Sequence, residues 1–224
     1  MTPNALVRAL AAISLPNVFN PYSDTCERYD QGNAPAARCR NLLALLESSE
    51  RLGIDTIWMG RDLGYRGGRR TGLALTDERH LSSMSQVYPG TASARTTVGP
   101  EVSERTAAEI WAVLILLEKP PLLWNVFPLH PHDAGAPFTN RKFTSRELKE
   151  VDELNASLIR WLQVRRVVSI GQDAAKYATK FGVEVQCVRH PSYGGVKEFR
   201  SGISRLHGID VHKRTVSTSQ VPLL

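Results

Sequence analysis

Glycine and arginine surround a lone carboxylate in one stretch of the sequence, residues 60–76. The stretch holds five glycines, four arginines and Asp62, and it follows the mostly apolar run 54–59. Glycine lets a ligand approach the backbone closely, and arginine binds phosphate. The pattern therefore indicates a strand that leads into a loop for a phosphate-bearing ligand. A basic surface loop in which Asp62 pairs with a neighbouring arginine explains the same composition.

Two other polar residues follow short apolar runs. Asn125 comes after the run 122–124, and His190 opens the sequence His190-Pro191-Ser192 after the run 183–188. An asparagine at a strand end commonly satisfies loop backbone groups, so a structural role is open for Asn125, as it is for His190. The segment 130–133 (HPHD) has metal-ligand side chains. Because no distant fourth ligand accompanies them, we expect no metal site.

Apolar periodicity predicts the elements that would position these residues. Helical spacing covers residues 3–13, 36–52, 103–118, 145–162, 172–181 and 196–206, and strands are expected at 54–59, 122–124, 167–170 and 183–188. Residues 17–35 and 81–102 are expected to form loops. The alternation predicts an α/β fold, a three-layer α/β/α sandwich with a central, mainly parallel four-stranded sheet. Ligands bind at the carboxyl ends of such strands, so Asp62, Asn125 and His190 should converge.

Composition narrows the class of protein. The chain has 224 residues with 42% apolar content, which favours a single domain over residues 1–224. Its net charge of +6 favours a polyanionic partner. No apolar run is long enough for a membrane helix, and Arg8 interrupts the N-terminal apolar segment, so we expect neither a membrane span nor a signal peptide. The expected location is the cytoplasm, nucleoid included.

The cysteines indicate no cluster or disulfide framework. Cys26, Cys39 and Cys187 form no closely spaced pair, and three thiols cannot supply a four-thiolate cluster within one chain. We expect buried, reduced thiols.

Taken together, the motifs resemble the uracil-DNA glycosylase superfamily over about residues 54–203. Its family 1 reads Gly-Gln-Asp-Pro-Tyr-His, then a glycine-containing loop, then Gly-Leu-Cys-Phe-Ser. Residues 60–76 align with that pattern without a gap and keep Gly60, Asp62, Gly68, Gly72 and Leu73. The family's His-Pro-Ser matches residues 190–192, and its base-reading asparagine matches Asn125. Residues 140–147 are similar instead to family 4, whose iron–sulfur cysteines this chain lacks.

This resemblance implies a monofunctional DNA glycosylase, a monomer without metal or cofactor, that removes uracil from DNA. Asp62 would stabilise the positive sugar and orient water, and His190 would donate to O2 of the departing base. Asn125 would match O4 and N3–H of uracil. The implied substrate-binding residues are Gly60, Arg61, Gly64, Tyr65, Leu75 and Asn125. The implied DNA-binding residues are Arg66, Arg69, Arg70, Ser192, Tyr193 and Gly194.

Several positions depart from the family pattern. Gly64 stands where family 1 has a tyrosine beside C5 of the base, and we expect Tyr65 to fill that space instead. Leu75 replaces the phenylalanine that stacks on uracil. Tyr193 occupies the loop whose leucine enters the base stack, so it is expected to act as the wedge. Two alternatives stay open: a glycosylase for another deaminated or mismatched base such as hypoxanthine, and a DNA-binding protein with little catalysis.

Overall fold

The structure is a computed structural model and describes residues 1–211. Helices and strands alternate along most of this length. The α-helices are α1 Pro3–Ala11, α2 Ala34–Arg51, α3 Gly68–Thr71, α4 Met84–Val87, α5 Arg105–Leu114, α6 Ser145–Trp161, α7 Gln172–Ala178 and α8 Val196–His207. The strands are β1 Val18–Phe19, β2 Thr56–Asp62, β3 Leu122–Phe127, β4 His130–Pro131, β5 Arg166–Ile170 and β6 Glu184–Val188.

A four-stranded parallel sheet forms the centre of the molecule, in the order β3-β2-β5-β6. Helices flank it, which confirms the predicted α/β class and the parallel central sheet. β1 and β4 form a separate two-stranded antiparallel ribbon. Because all four central strands point the same way, their carboxyl ends meet at one edge of the sheet.

Buried apolar side chains explain why these strands occupy the centre. Trp58 in β2 and Trp124 in β3 are no more than 2% exposed, and Trp111 of α5 is buried equally well. The Trp124 indole donates to Asn155 Oδ1 of α6 over 2.8 Å. The same Asn155 donates to the Val126 carbonyl over 2.8 Å. Helix α6 is thereby fixed to the sheet by a buried polar contact as well as by apolar packing.

Two of the predicted strands are longer than expected. β2 continues through Asp62 and β3 through Phe127, so Gly60 and Asn125 lie within strands and not after them. Both extensions pair in register, with Gly60 opposite Asn125 and Asp62 opposite Phe127. The backbone hydrogen bonds of the ladder outweigh the weak strand preference of glycine and aspartate.

Residues 17–35 do not form the expected surface loop. The segment contains β1, and its Asn20 and Tyr22 are buried. Asn20 Nδ2 donates to the carbonyls of Leu10 and Ile13, at 2.7 and 2.9 Å, and the Tyr22 hydroxyl donates to the Gly72 carbonyl over 2.8 Å. These side chains supply the hydrogen bonds that an irregular buried segment needs.

Smaller differences concern caps and thiols. Helix α5 begins after Glu104 and ends at Leu114, short of the expected residue 118. Part of the expected loop 81–102 is helical, with a 3₁₀ helix at Glu78–Ser83 followed by α4. Cys26 is buried as expected, whereas Cys187 on the edge strand β6 is exposed. No helix of the described residues is long and apolar enough to span a bilayer.

Candidate active site

One pocket lies at the carboxyl ends of the central strands. It has a volume of about 770 Å³ and brings together Asp62 of β2, Ile170 of β5 and His190, which follows β6. Of the residues predicted to bind substrate or DNA, it is lined by Gly60, Arg61, Gly64, Leu75, Ser192 and Tyr193. The predicted convergence is therefore present for Asp62 and His190, whereas Asn125 is not among the residues that line the pocket.

Gly60 lines this pocket, and Asn125 lies directly behind it without lining the pocket itself. Asn125 is 1% exposed, and its Oδ1 has no hydrogen-bond partner among the described residues. A Cβ on Gly60 would overlap that oxygen and would lie 3.0 Å from Leu75 Cδ2. Glycine at this position thus leaves the amide of Asn125 room against the pocket. A buried polar atom without a partner is costly, so this amide is suited to meeting a ligand.

Asp62 and Arg61 form an ion pair at the pocket wall. Arg61 Nε lies 2.5 Å from Asp62 Oδ2, and its Nη1 lies 3.8 Å from Asp173 Oδ2. Burial raises the pKa of the Asp62 carboxyl, although the Arg61 guanidinium opposes the rise. Arg61 therefore orients Asp62, and the raised pKa makes the carboxylate a stronger proton acceptor than an exposed aspartate.

His190 is held as a neutral imidazole. The Ser192 backbone N–H donates to His190 Nδ1 over 3.1 Å, and Ser192 Oγ lies 2.7 Å from the same nitrogen. Because Nδ1 accepts, the ring proton is assigned to Nε2. Burial lowers the pKa of His190, and the nearby Arg61 and Arg189 lower it further. Within residues 1–211 no hydrogen bond engages Nε2, so the neutral ring can donate its Nε2–H to the pocket.

Glu104, just before α5, also lines the pocket. Its Oε1 lies 2.9 Å from the position that a Cβ on Gly64 would take, and a Cβ on Gly67 would overlap its Oε2. Burial raises the pKa of Glu104 to about 7, and the carboxylates of Asp77 and Asp62 contribute to the rise. No sequence motif singled out this residue, since an isolated glutamate before a helix is common on protein surfaces.

Tyr65 does not fill the space beside Gly64, which corrects the prediction made from the sequence. It lines a neighbouring groove of about 460 Å³ together with Arg66, Val98 and Phe138. Its backbone N–H donates to Asn140 Oδ1 over 3.0 Å, which fixes the loop at this point. The Glu104 carboxyl occupies the space that an aromatic wall was expected to fill.

Arg69 and Arg70 were predicted to contact DNA phosphates, and this prediction is wrong. Both are buried, at 3% and 8% exposure. Arg69 donates to the Tyr29 hydroxyl over 2.8 Å and stacks on the Phe19 ring at 3.8 Å. Arg70 pairs with Glu78 at 3.1 Å. They bind the residue 17–35 segment to the glycine-rich loop and leave no guanidinium free for DNA. Arg66 in the same loop is exposed.

The HPHD segment has a structural role as well. His130 is buried in β4, where Nδ1 lies 3.0 Å from Arg69 Nη1 and Nε2 lies 2.9 Å from the Thr139 carbonyl. Burial and Arg69 lower the pKa of His130 to about 3. No metal-binding group of three or more histidine, cysteine or acidic residues exists within residues 1–211.

Strained backbone marks two residues of the pocket. Leu75 and Tyr193 have φ angles of +54° and +49°, which is unfavourable for large side chains. Leu75 is half-buried in the pocket wall, whereas Tyr193 is 94% exposed at the rim and is followed by the exposed Gly194. The strained backbone at Tyr193 therefore holds a large aromatic side chain in solvent at the entrance of the pocket.

The four-stranded parallel sheet with its flanking helices is consistent with the α/β fold of the uracil-DNA glycosylases. Among 11 matching chains of solved structures is wild-type SMUG2 from Pedobacter heparinus, a glycosylase of that superfamily. The TM-score is 0.60 at 14% sequence identity, over 93% of this chain and 100% of that chain. At this identity the likeness shows a shared fold. No protein-family model matches the sequence, and no curated protein matches it.

Proposed function

We propose that this protein is a monofunctional DNA glycosylase that hydrolyses the N-glycosidic bond of uracil in DNA and leaves an abasic site. The observation that carries the proposal is the pocket lined by both Asp62 and His190, with the unpartnered Asn125 Oδ1 directly behind Gly60 of its lining. The shared fold with SMUG2 supports the class of DNA glycosylase. It does not bear on the choice of base.

The two wall residues suit the charges of the reaction. As the bond breaks, positive charge develops on the sugar and negative charge on the departing base. The Asp62 carboxylate stabilises the sugar and accepts a proton from the attacking water. His190 donates its Nε2–H to O2 of the base, since its Nδ1 is already engaged by Ser192. Neither step requires a metal or a cofactor.

Asn125 recognises the base. Its amide offers one acceptor and one donor, which match N3–H and O4 of uracil and mismatch the corresponding groups of cytosine. Asn125 Oδ1 then gains the hydrogen bond that no residue of the described range 1–211 gives it. Leu75 provides the apolar contact to the face of the base.

The base reaches the pocket by leaving the DNA stack, at a cost of a few kcal/mol. The exposed Tyr193 occupies the gap left in the stack, with Ser192 and Gly194 beside the phosphate backbone. Arg66, exposed next to the pocket, contacts a phosphate. The protein acts on DNA as a monomer in the cytoplasm, nucleoid included.

An abasic-site assay on a uracil-containing oligonucleotide tests the proposal. Single-turnover cleavage should fall about 100- to 1,000-fold in His190→Ala, by analogy with a lost oxyanion donor, and it should also fall in Asp62→Asn. Binding of the oligonucleotide should persist in both variants. His132→Ala and Asp133→Asn serve as matched controls outside the pocket and should cleave at the parent rate.

Cleavage at the parent rate in Asp62→Asn or His190→Ala would show that these residues are not the catalytic groups. A parent protein that binds DNA but cleaves no uracil would favour the weakly catalytic DNA-binding alternative. A second candidate function, excision of a deaminated purine such as hypoxanthine, is favoured by the missing aromatic wall beside Gly64. Glu104 takes the place of that wall.

A further inference from the structure

Glu104 lies in the pocket, but the proposed excision of uracil gives this carboxyl no role. Gly64 and Gly67 lack the Cβ atoms that would collide with its carboxyl, so the loop encloses this group closely. No donor among the described residues forms a hydrogen bond with either carboxyl oxygen. The same carboxyl lines the pocket that contains Asp62 and His190.

The edge of the base that faces Glu104 follows from the proposed function, on which this inference rests. His190 contacts the O2 side of the base, and Asn125 contacts the edge that carries N3 and O4. The remaining edge, C5 and C6 of a pyrimidine, then faces the loop of Gly64 and Gly67. In a purine bound through N9 in the same orientation, N7 and C8 occupy that edge.

The charged groups around Glu104 favour its protonated form. The negative charges of Asp77, in the turn before the 3₁₀ helix, and of Asp62, in β2, disfavour ionisation of Glu104. The positive charge of Arg66 favours its ionisation. Asp77 itself remains ionised because it pairs with His80 at 2.6 Å and accepts from the Glu104 N–H at 2.6 Å. At neutral pH a large share of Glu104 therefore carries a proton that it can donate.

We propose that Glu104 donates a hydrogen bond and then a proton to N7 of a deaminated purine, so that this pocket also excises hypoxanthine from DNA. A ring nitrogen with a lone pair accepts this proton, whereas C5–H of uracil has no acceptor there. Glu104 thus determines specificity toward purines, while Asp62 and His190 serve both kinds of base.

The step balances without any further reactant. The C1′–N9 bond breaks and its electron pair passes to the purine ring. The proton of Glu104 moves to N7, and the base leaves as neutral hypoxanthine. Water adds to C1′ and gives its proton to Asp62, which releases it to solvent, and solvent returns one proton to Glu104. The sum is hydrolysis to the free base and an abasic site.

Single-turnover excision of uracil, hypoxanthine and 7-deazahypoxanthine from matched oligonucleotides tests this role. Glu104→Leu should lose about 100-fold more activity on hypoxanthine than on uracil. The preference of the parent for hypoxanthine over 7-deazahypoxanthine should shrink by the same factor in Glu104→Leu, because the 7-deaza analogue has no N7 acceptor. This second comparison would not move if Glu104 had only a structural role.

Glu104→Gln provides a variant of nearly the same shape. The parent rate on hypoxanthine should fall about tenfold per pH unit above about pH 7, where Glu104 loses its proton. The glutamine variant should be slower than the parent at pH 6 and should not show that fall. An unchanged hypoxanthine-to-uracil ratio in both variants would overturn the inference. A parent that excises uracil but not hypoxanthine would overturn it as well and leave the proposed function intact, whereas excision of neither base would refute both.

Discussion

Replacing Glu104 by glutamine should also change how the free energy of unfolding depends on pH, without any reference to catalysis. The pKa of Glu104 is about 7 in the folded protein, against an ordinary value of 4.5. The two values differ by about 2.5 pH units, and each unit corresponds to about 1.4 kcal/mol. The folded parent therefore carries a penalty of ~3 kcal/mol at alkaline pH.

The sign follows from the proton count. Between about pH 4.5 and 7 the folded protein holds a proton on Glu104 that the unfolded chain has released. The stability of the parent therefore falls as the pH rises through this window, and the penalty is complete above about pH 7. Glutamine has no proton to release, so Glu104→Gln should be more stable than the parent at pH 8 by up to about 3 kcal/mol and should match it near pH 4.5.

Urea denaturation at pH 4.5, 6 and 8 measures this difference, because the linear extrapolation gives a free energy at each pH. Other titrating groups are common to both proteins and cancel in the comparison. Glu150→Gln, at an exposed position of α6, is the matched control and should follow the parent at every pH. Equal pH dependence in the parent and Glu104→Gln would refute the assignment of a raised pKa to this carboxyl.

Three further predictions concern the pocket lining, the DNA surface and the core. Gly60→Ala should displace the Asn125 amide and lower single-turnover uracil excision about 100-fold, at a cost in stability of about 1–3 kcal/mol by urea denaturation. Arg66→Ala should reduce the negative slope of log K for DNA against log salt by about 0.9, measured by fluorescence anisotropy; an unchanged slope would exclude a phosphate contact. Asn155→Ala should lower the free energy of unfolding by about 2–4 kcal/mol, because Trp124 Nε1 and the Val126 carbonyl lose their partner.

The architecture and the convergence of the site follow from the sequence because they depend on local patterns. Periodicity marks the strands, and a parallel sheet brings their carboxyl ends together. Asp62, Asn125 and His190 could thus be expected at one edge although they are far apart in the chain. The exact ends of β2 and β3 could not, since pairing across the sheet decides how far a strand continues.

The sequence did not predict which of the charged side chains are buried. Arg69 and Arg70 look like surface cations beside the exposed Arg66, but their partners Tyr29 and Glu78 lie in other segments. A buried cation depends on such distant partners, and their approach is a property of the tertiary fold. The sequence does not identify Glu104 for the same reason, because the glycines that enclose it are about 40 residues away in sequence.

Gly60 of β2 pairs with Asn125 of β3, so the depth of the pocket at this point depends on a single pair of opposed residues. Asp62 lies further along β2, opposite Phe127, and His190 follows β6, which is separated from β2 by β5. Under the proposed function, recognition of the base by Asn125 and cleavage of the bond by Asp62 and His190 would therefore depend on different parts of the sheet. A library that varies positions 60 and 125 together would reshape the space around the Asn125 amide while Asp62 and His190 stay in place, so it would test recognition of the N3 and O4 edge of the base separately from cleavage.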